Sequence, residues 1–192
     1  MKYGVSACLV GKNTKYDGKN NYNQDVIEFL KDKEYITICP EVAGGLPTPR
    51  IPSEQLNDRV INQIGEDVTK QFIDGANKSL ALLKQNDVKA LILKERSPSC
   101  GYKKVYDGTF SKTLIDGNGV FVKLAIENGF IIYTETDIKE IIKKGESQWF
   151  VFLFICLFYF TNIEVMIRFI FIIFIYDVLA IYETFCFKLA LI

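Results

Sequence analysis

Three cysteines, Cys8, Cys39 and Cys100, are the residues of this sequence best suited to metal chemistry. Cys8 lies near the end of one apolar run, Cys39 ends the next and Cys100 follows a third by a short turn, and each precedes a loop rich in glycine, proline or asparagine. A single cysteine in such a place is often an ordinary small core residue. Three of them after three predicted parallel strands are harder to explain in that way, because the carboxyl ends of parallel strands meet at one edge of a sheet. The sequence therefore predicts a shared metal site.

Histidine is absent from the 192 residues, which removes the usual general base near neutral pH and every histidine-ligated metal site. Catalysis would have to use Cys, Asp, Glu, Lys, Tyr, Ser or a cofactor. Lys+Arg and Asp+Glu are balanced at 23 each, so we expect no nucleic-acid partner. The first four residues lack the apolar run of a secretory signal, and we expect a cytoplasmic protein whose thiols stay reduced.

Three thiolate ligands do not identify the metal that is bound. A catalytic zinc ion uses three protein ligands and a water molecule. A 4Fe–4S cluster bound by three cysteines leaves one iron without a protein ligand, and that iron can act as a Lewis acid. Both metals suit thiolate-rich ligation without histidine, and the spacing of the cysteines does not decide between them.

The loops that follow the second and third cysteines carry further candidates. The segment 39–50 contains three prolines besides a glycine pair, which predicts a stiff loop that holds Glu41 near the metal and presents Arg50 to an anion or a carbonyl. The segment 94–101 offers the hydroxyl groups of Ser97 and Ser99 as hydrogen-bond donors. A solvated loop carboxylate for Glu41 and a structural ion pair for Arg50 remain alternative interpretations.

The first loop contains Tyr16 and Asp17, followed by Gly18. Because Asp-Gly pairs favour turns, a purely structural role for Asp17 is the alternative to a role in substrate binding.

The pattern of apolar residues predicts a single α/β domain over residues 1–147, with a mostly parallel, Rossmann-like sheet flanked by helices. The predicted strands are Tyr3–Val10, Tyr35–Cys39, Val88–Lys94 and Phe130–Tyr133, and the predicted helices are Gln24–Lys33, Thr69–Gln85, Asn118–Asn128 and Asp137–Lys144. The segments 11–23, 40–52 and 95–111 are predicted to be loops.

Residues 148–192 form an apolar tail of a different composition. Its first apolar run, Trp149–Phe160, is shorter than the about 20 residues that a membrane-spanning helix needs. The tail is interpreted as a membrane anchor or membrane hairpin, as an extra apolar layer that packs on the domain or makes an oligomer, or as a non-native extension from a frameshift or read-through. We place no function there and regard Cys156 and Cys186 as apolar residues without a chemical role.

Residues 1–147 resemble the thiouracil desulfurase family, and the apolar tail lies outside this resemblance. The motifs that carry it are Ser6–Gly11 with Tyr16–Gly18, Cys39–Glu41 with Gly44–Arg50, Gly65–Thr69 with Phe72 and Gly75–Ala76, and Lys94–Gly101 with Tyr106–Phe110. The Cys-Pro-Glu and Ser-Pro-Ser-Cys-Gly segments together make the likeness specific.

The resemblance implies that Cys8, Cys39 and Cys100 bind a 4Fe–4S cluster whose open iron takes the sulfur of a thiolated nucleobase such as 2-thiouracil. Water then replaces the sulfur, which gives uracil and hydrogen sulfide in a reaction without net oxidation or reduction. The resemblance also implies that an acidic residue and a serine assist. Glu41 matches the first, and Ser97 or Ser99 matches the second.

Further expectations concern substrate and partners. We expect Tyr16, Asp17, Arg50 and Lys94 to bind the substrate, with Lys94 or Arg50 stabilising developing negative charge. The expected partner is a small molecule, a membrane is expected only if the tail inserts, and the oligomeric state stays open. A non-catalytic iron–sulfur binding or sensor module and a three-cysteine zinc hydrolase are the alternative functions.

Overall fold

A four-stranded parallel sheet forms the centre of the unit Met1–Ile142. The computed structural model describes residues 1–144. The sheet contains β1 (Tyr3–Ser6), β2 (Tyr35–Ile38), β5 (Ala90–Leu93) and β8 (Ile131–Thr134), in the spatial order β2-β1-β5-β8. Two antiparallel hairpins stand apart from it: β3 (Ser53–Leu56) pairs with β4 (Arg59–Asn62), and β6 (Lys104–Tyr106) pairs with β7 (Leu114–Asp116). The helices are α1 (Gln24–Leu30), α2 (Pro40–Ala43), α3 (Thr69–Gln85), α4 (Val120–Glu127) and a final helix over residues 135–144.

The strand β5 shows why both faces of the sheet are covered. All four of its residues are buried, and alternate side chains point to opposite faces. Leu91 and Leu93 belong to a core cluster with residues of α3 and α4, whereas Ala90 and Ile92 belong to a cluster with residues of α1 and the final helix. Helices therefore cover both faces, which confirms the predicted α/β class.

The strand order reverses direction at β1. The chain passes from β1 to β2 on one side and then crosses over to β5 on the other side. In open parallel sheets such a reversal leaves a crevice beyond the carboxyl ends of the two central strands, and ligands bind there. The loops that follow β1 and β5 are the loops that contain Cys8 and Cys100.

The short helix α2 and the 17-residue helix α3 contact each other at a pair of glycines, Gly44 and Gly75. A Cβ atom on Gly44 would lie 1.9 Å from the carbonyl oxygen of Gln71, and one on Gly75 would lie 1.8 Å from that of Pro40. Neither position tolerates a side chain, because both backbones are in direct contact. This contact fixes α2, the helix that follows Cys39, against α3.

Three of the sequence predictions about local structure are wrong. The strand predicted over Tyr3–Val10 ends at Ser6, and Ala7–Val10 form a 3-10 turn that Gly11 closes in a left-handed conformation with φ of 88°. The predicted loop 40–52 begins with α2, whose first position is Pro40. The predicted loop 95–111 contains β6.

The apolar tail lies outside the described residues. The boundary predicted at 147, the three interpretations of the tail and the inert character of Cys156 and Cys186 therefore stay predictions, as does the cytoplasmic location. Within residues 1–144, none of the helices combines the length and apolar character needed to cross a bilayer.

Substitutions at the neighbouring residues Leu82 and Leu83 in α3 can test how much core packing contributes to stability. Leu83 is fully buried between helix and sheet, whereas Leu82 is 42% exposed. We expect Leu83→Ala to lower the free energy of unfolding by about 2–5 kcal/mol, because it leaves a cavity in the core. Leu82→Ala removes the same atoms from the surface and should cost less than about 1 kcal/mol. Urea denaturation of both variants measures the difference, and equal losses would contradict this account of α3.

Candidate active site

A cavity of about 620 Å³ lies beyond the carboxyl ends of the central strands. The three thiols Cys8, Cys39 and Cys100 are on its wall. Of the ten residues predicted for the site, eight line the cavity: Cys8, Cys39, Cys100, Glu41, Ser97, Tyr16, Arg50 and Lys94. Asp17 and Ser99 are not among the lining residues.

A separate local structure positions each cysteine. Cys8 lies in the 3-10 turn after β1, and its carbonyl oxygen accepts hydrogen bonds from the N–H groups of Gly11 (3.3 Å) and Asn21 (2.9 Å). Cys39 precedes α2 in an extended conformation. Cys100 is 6% exposed, and its N–H donates to Ser97 Oγ at 3.0 Å. All three are free thiols.

The thiols affect one another electrostatically. Burial raises the pKa of Cys8, a hydrogen bond with the Asn21 side chain opposes this, and the neighbouring Cys39 adds to the rise. Burial also raises the pKa of Cys100 well above its usual value, with further contributions from Cys39 and Glu41. Buried thiols of this kind stay protonated unless a cation compensates the thiolate charge. Metal binding at this place would therefore release protons.

The three thiols differ in how well they fit a single metal ion and a metal cluster. Among residues 1–144, no three side chains of the types His, Cys, Asp and Glu are grouped closely enough to hold one metal ion. Three thiolates on one zinc ion, each at about 2.3 Å, would have to lie about 3.8 Å from one another. A four-iron cluster binds each thiolate to a different iron and needs them further apart. Three thiols without imidazole, spread over the wall of one cavity, fit the cluster better than a single ion.

Glu41 and Arg50 form a buried ion pair beside the thiols. Arg50 Nη2 lies 2.8 Å and Nε lies 2.9 Å from Glu41 Oε2, and the two side chains are 7% and 15% exposed. The remaining N–H groups of the guanidinium bond to the carbonyl oxygens of Pro47 and Thr14 and to Thr48 Oγ1. The guanidinium makes four hydrogen bonds to protein acceptors, and its Nη2 is also paired with the Glu41 carboxylate. Arg50 thus holds Glu41 in place.

Ser97 connects Glu41 with the loop of Cys100. Its Oγ donates to Glu41 Oε1 at 3.3 Å and accepts the N–H groups of Ser99 (3.1 Å) and Cys100 (3.0 Å). Because both acceptor positions of the hydroxyl are used, its hydrogen is directed at the carboxylate. Glu41 therefore has one oxygen bound by arginine and the other facing a hydroxyl in the cavity.

Ser99 and Asp17 have other surroundings. Ser99 is fully buried, and its Oγ has no hydrogen-bond partner within the described part of the chain. Asp17 accepts from Lys15 Nζ at 2.8 Å and from the N–H of Lys19 at 3.1 Å. The hydrogen bond from Lys15 lowers the pKa of Asp17. These contacts are those of a polar turn, next to Tyr16, which does line the cavity.

Lys94 is bound by a residue that the sequence analysis missed. Its Nζ contacts Glu135 Oε1, and Glu135 Oε2 accepts the N–H of Glu95 at 2.9 Å. Glu135 stands at the start of the final helix, 41 residues after Lys94, and no local pattern connects the two. Asn21, Glu54, Tyr106 and Phe110 also line the cavity and were not predicted as site residues. For the aromatic pair the Tyr106–Phe110 motif was a signal, since it belongs to the family resemblance.

The fold and the cavity define a doubly wound α/β protein with a thiol-lined site at the switch point of its sheet. The family described as 2-thiouracil desulfurase matches residues 3–137 of the chain. The chain is 35% identical over 148 residues to the uncharacterized protein YbbK of Bacillus subtilis strain 168, a match that covers 72% of this chain and 98% of YbbK.

A solved structure described as the 4Fe–4S-dependent thiouracil desulfidase TudS is similar as well. The match has a TM-score of 0.69 at 35% identity and covers 76% of this chain and 97% of TudS. The chain belongs to the 2-thiouracil desulfurase family, as the resemblance of its motifs predicted. The family match ends at residue 137, before the apolar tail.

The buried ion pair can be tested against an exposed one. Arg50→Met leaves the Glu41 carboxylate uncompensated in a buried place, and we expect it to lower the free energy of unfolding by about 3–5 kcal/mol. Arg59→Met is the matched control, because Arg59 lies 3.9 Å from Asp67 with both side chains exposed, 65% and 47%. It should cost at most about 1 kcal/mol. Urea denaturation measures both, and a loss for Arg50→Met no larger than the control's would show that the pair is not needed.

Proposed function

We propose that this chain removes sulfur from a thiolated nucleobase such as 2-thiouracil, at a 4Fe–4S cluster bound by Cys8, Cys39 and Cys100. The observation that carries the proposal is the placement of all three thiols on one cavity wall together with Glu41 and Ser97. Membership of the 2-thiouracil desulfurase family and the likeness to TudS support it. A reducing, cytoplasmic setting, in which the thiols stay available, is part of the proposal.

The overall reaction exchanges sulfur for oxygen. Water adds its oxygen to the thiocarbonyl carbon, the C–S bond breaks, and the products are uracil and hydrogen sulfide. Both protons of the water are accounted for in hydrogen sulfide, and no electrons are transferred. A bound cluster would supply Lewis-acid chemistry at the sulfur through the iron without a protein ligand.

Glu41 is the proposed proton acceptor for the water. Its Oε2 is occupied by Arg50, so Oε1, which faces Ser97, is the atom that takes the proton. A carboxylate in this role substitutes for the histidine that the sequence lacks. Glu41 then returns the proton to the leaving sulfur.

Ser97 is the serine that we assign to the reaction in preference to Ser99. It lines the cavity, and its hydroxyl hydrogen is directed at Glu41 Oε1. The hydrogen bond from Ser97 holds Glu41 Oε1 at the cavity, where a water molecule can donate its proton to the carboxylate directly. Ser99 lies outside the cavity lining and contributes to the buried turn before Cys100.

The predicted substrate-binding residues take different parts in this proposal. Lys94 and Tyr16 line the cavity and are the side chains that contact the substrate, with Lys94 opposing negative charge on it. Arg50 is a positioning residue, since its donors are taken by protein acceptors. Asp17 fixes the turn that presents Tyr16.

Sulfide release tests the function as a whole. We expect the full chain, reconstituted anaerobically with iron and sulfide and then desalted, to show broad visible absorbance and to convert 2-thiouracil into uracil and hydrogen sulfide. Cys39→Ser should abolish both properties, because it removes one of three ligands. Cys156→Ser is the matched control in the apolar tail and should change neither. A folded, colourless and zinc-loaded protein would rule out the cluster, and a coloured protein that releases no sulfide would indicate a binding or sensor module.

The role of Glu41 is tested by removing its charge. Glu41→Gln should keep the visible absorbance and lower kcat by about 10²-fold or more, which is the range for loss of a general acid–base group. Ser97→Ala should also lower kcat, while Ser99→Ala should leave it within about threefold. Glu95→Gln is the control for a carboxylate that lines the same cavity. If Glu41→Gln and Glu95→Gln turn over at equal rates, Glu41 has no part in the chemistry.

A further inference from the structure

The outer wall of the cavity is built by the two hairpins, and Glu54 joins them. Glu54 lies on β3 and is 9% exposed. Its Oε2 accepts the N–H groups of Gly108 at 3.1 Å and Phe110 at 3.0 Å. Both donors belong to the loop 107–113 between β6 and β7, so one carboxylate oxygen holds this loop against the other hairpin.

The loop 107–113 has a backbone that its sequence does not favour. Phe110 has φ of 58° and Lys112 has φ of 66°, in the left-handed region that bulky residues rarely adopt. Such a conformation persists only where the surroundings determine it, and it is concentrated at ligand sites. Here the surroundings are Glu54 and the side chain of Asp107, which accepts from the N–H (3.0 Å) and the hydroxyl (2.6 Å) of Thr109.

The strained residue is an aromatic one that lines the cavity. Phe110 and Tyr106 line the same cavity as the three thiols, Glu41 and Ser97. A loop selected only for its turn would have glycine or asparagine at a left-handed position, because these residues adopt it at low cost. A phenylalanine there indicates that the ring itself is needed. Aromatic side chains bind planar heterocycles by stacking, whatever their ring substituents.

We propose that Phe110 is a substrate-binding residue that stacks on the ring of the thiolated base, and that Glu54 is the positioning residue that holds Phe110 on the cavity wall. This assignment rests on the proposed function and specifies how the substrate is recognised. The sheet edge supplies the thiols and the proton acceptor, and the hairpins supply the face against which the planar ring lies.

Four variants of the cluster-loaded full chain test the assignment. Phe110→Leu keeps an apolar side chain without the ring and should raise KM for 2-thiouracil about tenfold, with kcat within about twofold. Phe110→Tyr retains the ring and should restore KM. Glu54→Ala removes the acceptor for two N–H groups and should raise KM to a similar degree, whereas Glu54→Gln retains an acceptor oxygen and should have a smaller effect. Ile115→Ala is the control, because Ile115 is 46% exposed on β7 and does not line the cavity.

Calorimetric binding of uracil and the melting temperature of each variant complete the experiment. Phe110→Leu and Glu54→Ala should weaken uracil binding about tenfold, in parallel with KM. If they lower the melting temperature but leave KM and uracil binding unchanged, the loop is only structural and the assignment is overturned. If the wild-type chain releases no sulfide, the proposed function fails, and the uracil measurement still decides the role of Phe110 because stacking needs no turnover.

Discussion

The buried guanidinium of Arg50 joins segments that would otherwise be independent loops. The guanidinium donates hydrogen bonds to Glu41, to the turn before Arg50 and to the carbonyl oxygen of Thr14, and the backbone N–H of Arg50 donates to the carbonyl oxygen of Tyr16 at 2.7 Å. A guanidinium cannot lose its charge in a protein, so each of these acceptors must stay in place. Arg50 therefore sets the first loop and Glu41 relative to each other. Cys39 also contacts the first loop, since its Sγ lies 4.0 Å from the carbonyl oxygen of Thr14 that accepts from Arg50.

Apolar periodicity was sufficient to predict the elements that pack against the sheet. The helix Thr69–Gln85 has the predicted bounds, because its apolar stripe is long and continuous. The predicted end of β1 was wrong because it also relied on apolar residues. Apolar residues indicate burial and not backbone conformation, and Leu9 is 1% exposed although it lies in a 3-10 turn. The convergence of the cysteines was nevertheless predictable, because it depends on parallel strand order and not on the residue at which each strand ends.

The two hairpins and their polar contacts could not be predicted from local sequence patterns. Glu54 is buried, although a charged residue is expected at the surface, and its partners are 54 and 56 residues further along the chain. The same holds for Lys94 and Glu135. A buried charge becomes tolerable only through partners that the folded chain brings to it. Sequence spacing gives no sign of such partners, so the polar residues and hairpins that line the cavity were less predictable than its three thiols.

Two glutamates that line the cavity, Glu54 and Glu41, differ in their hydrogen-bond partners and therefore in what each can do. Glu54 is bound through Oε2 by two backbone N–H groups, which makes it a clamp for the loop that contains Phe110. Glu41 has one oxygen on Arg50 and the other facing Ser97, and this second oxygen is the one that our proposal uses for proton transfer. In the proposed function of this histidine-free chain, this difference in partners separates Glu41, the proposed acid–base residue, from Glu54. Under the proposed assignment the hairpins hold the ring of the substrate and the loops after the parallel strands hold the thiols, so the two tasks belong to different elements of the fold.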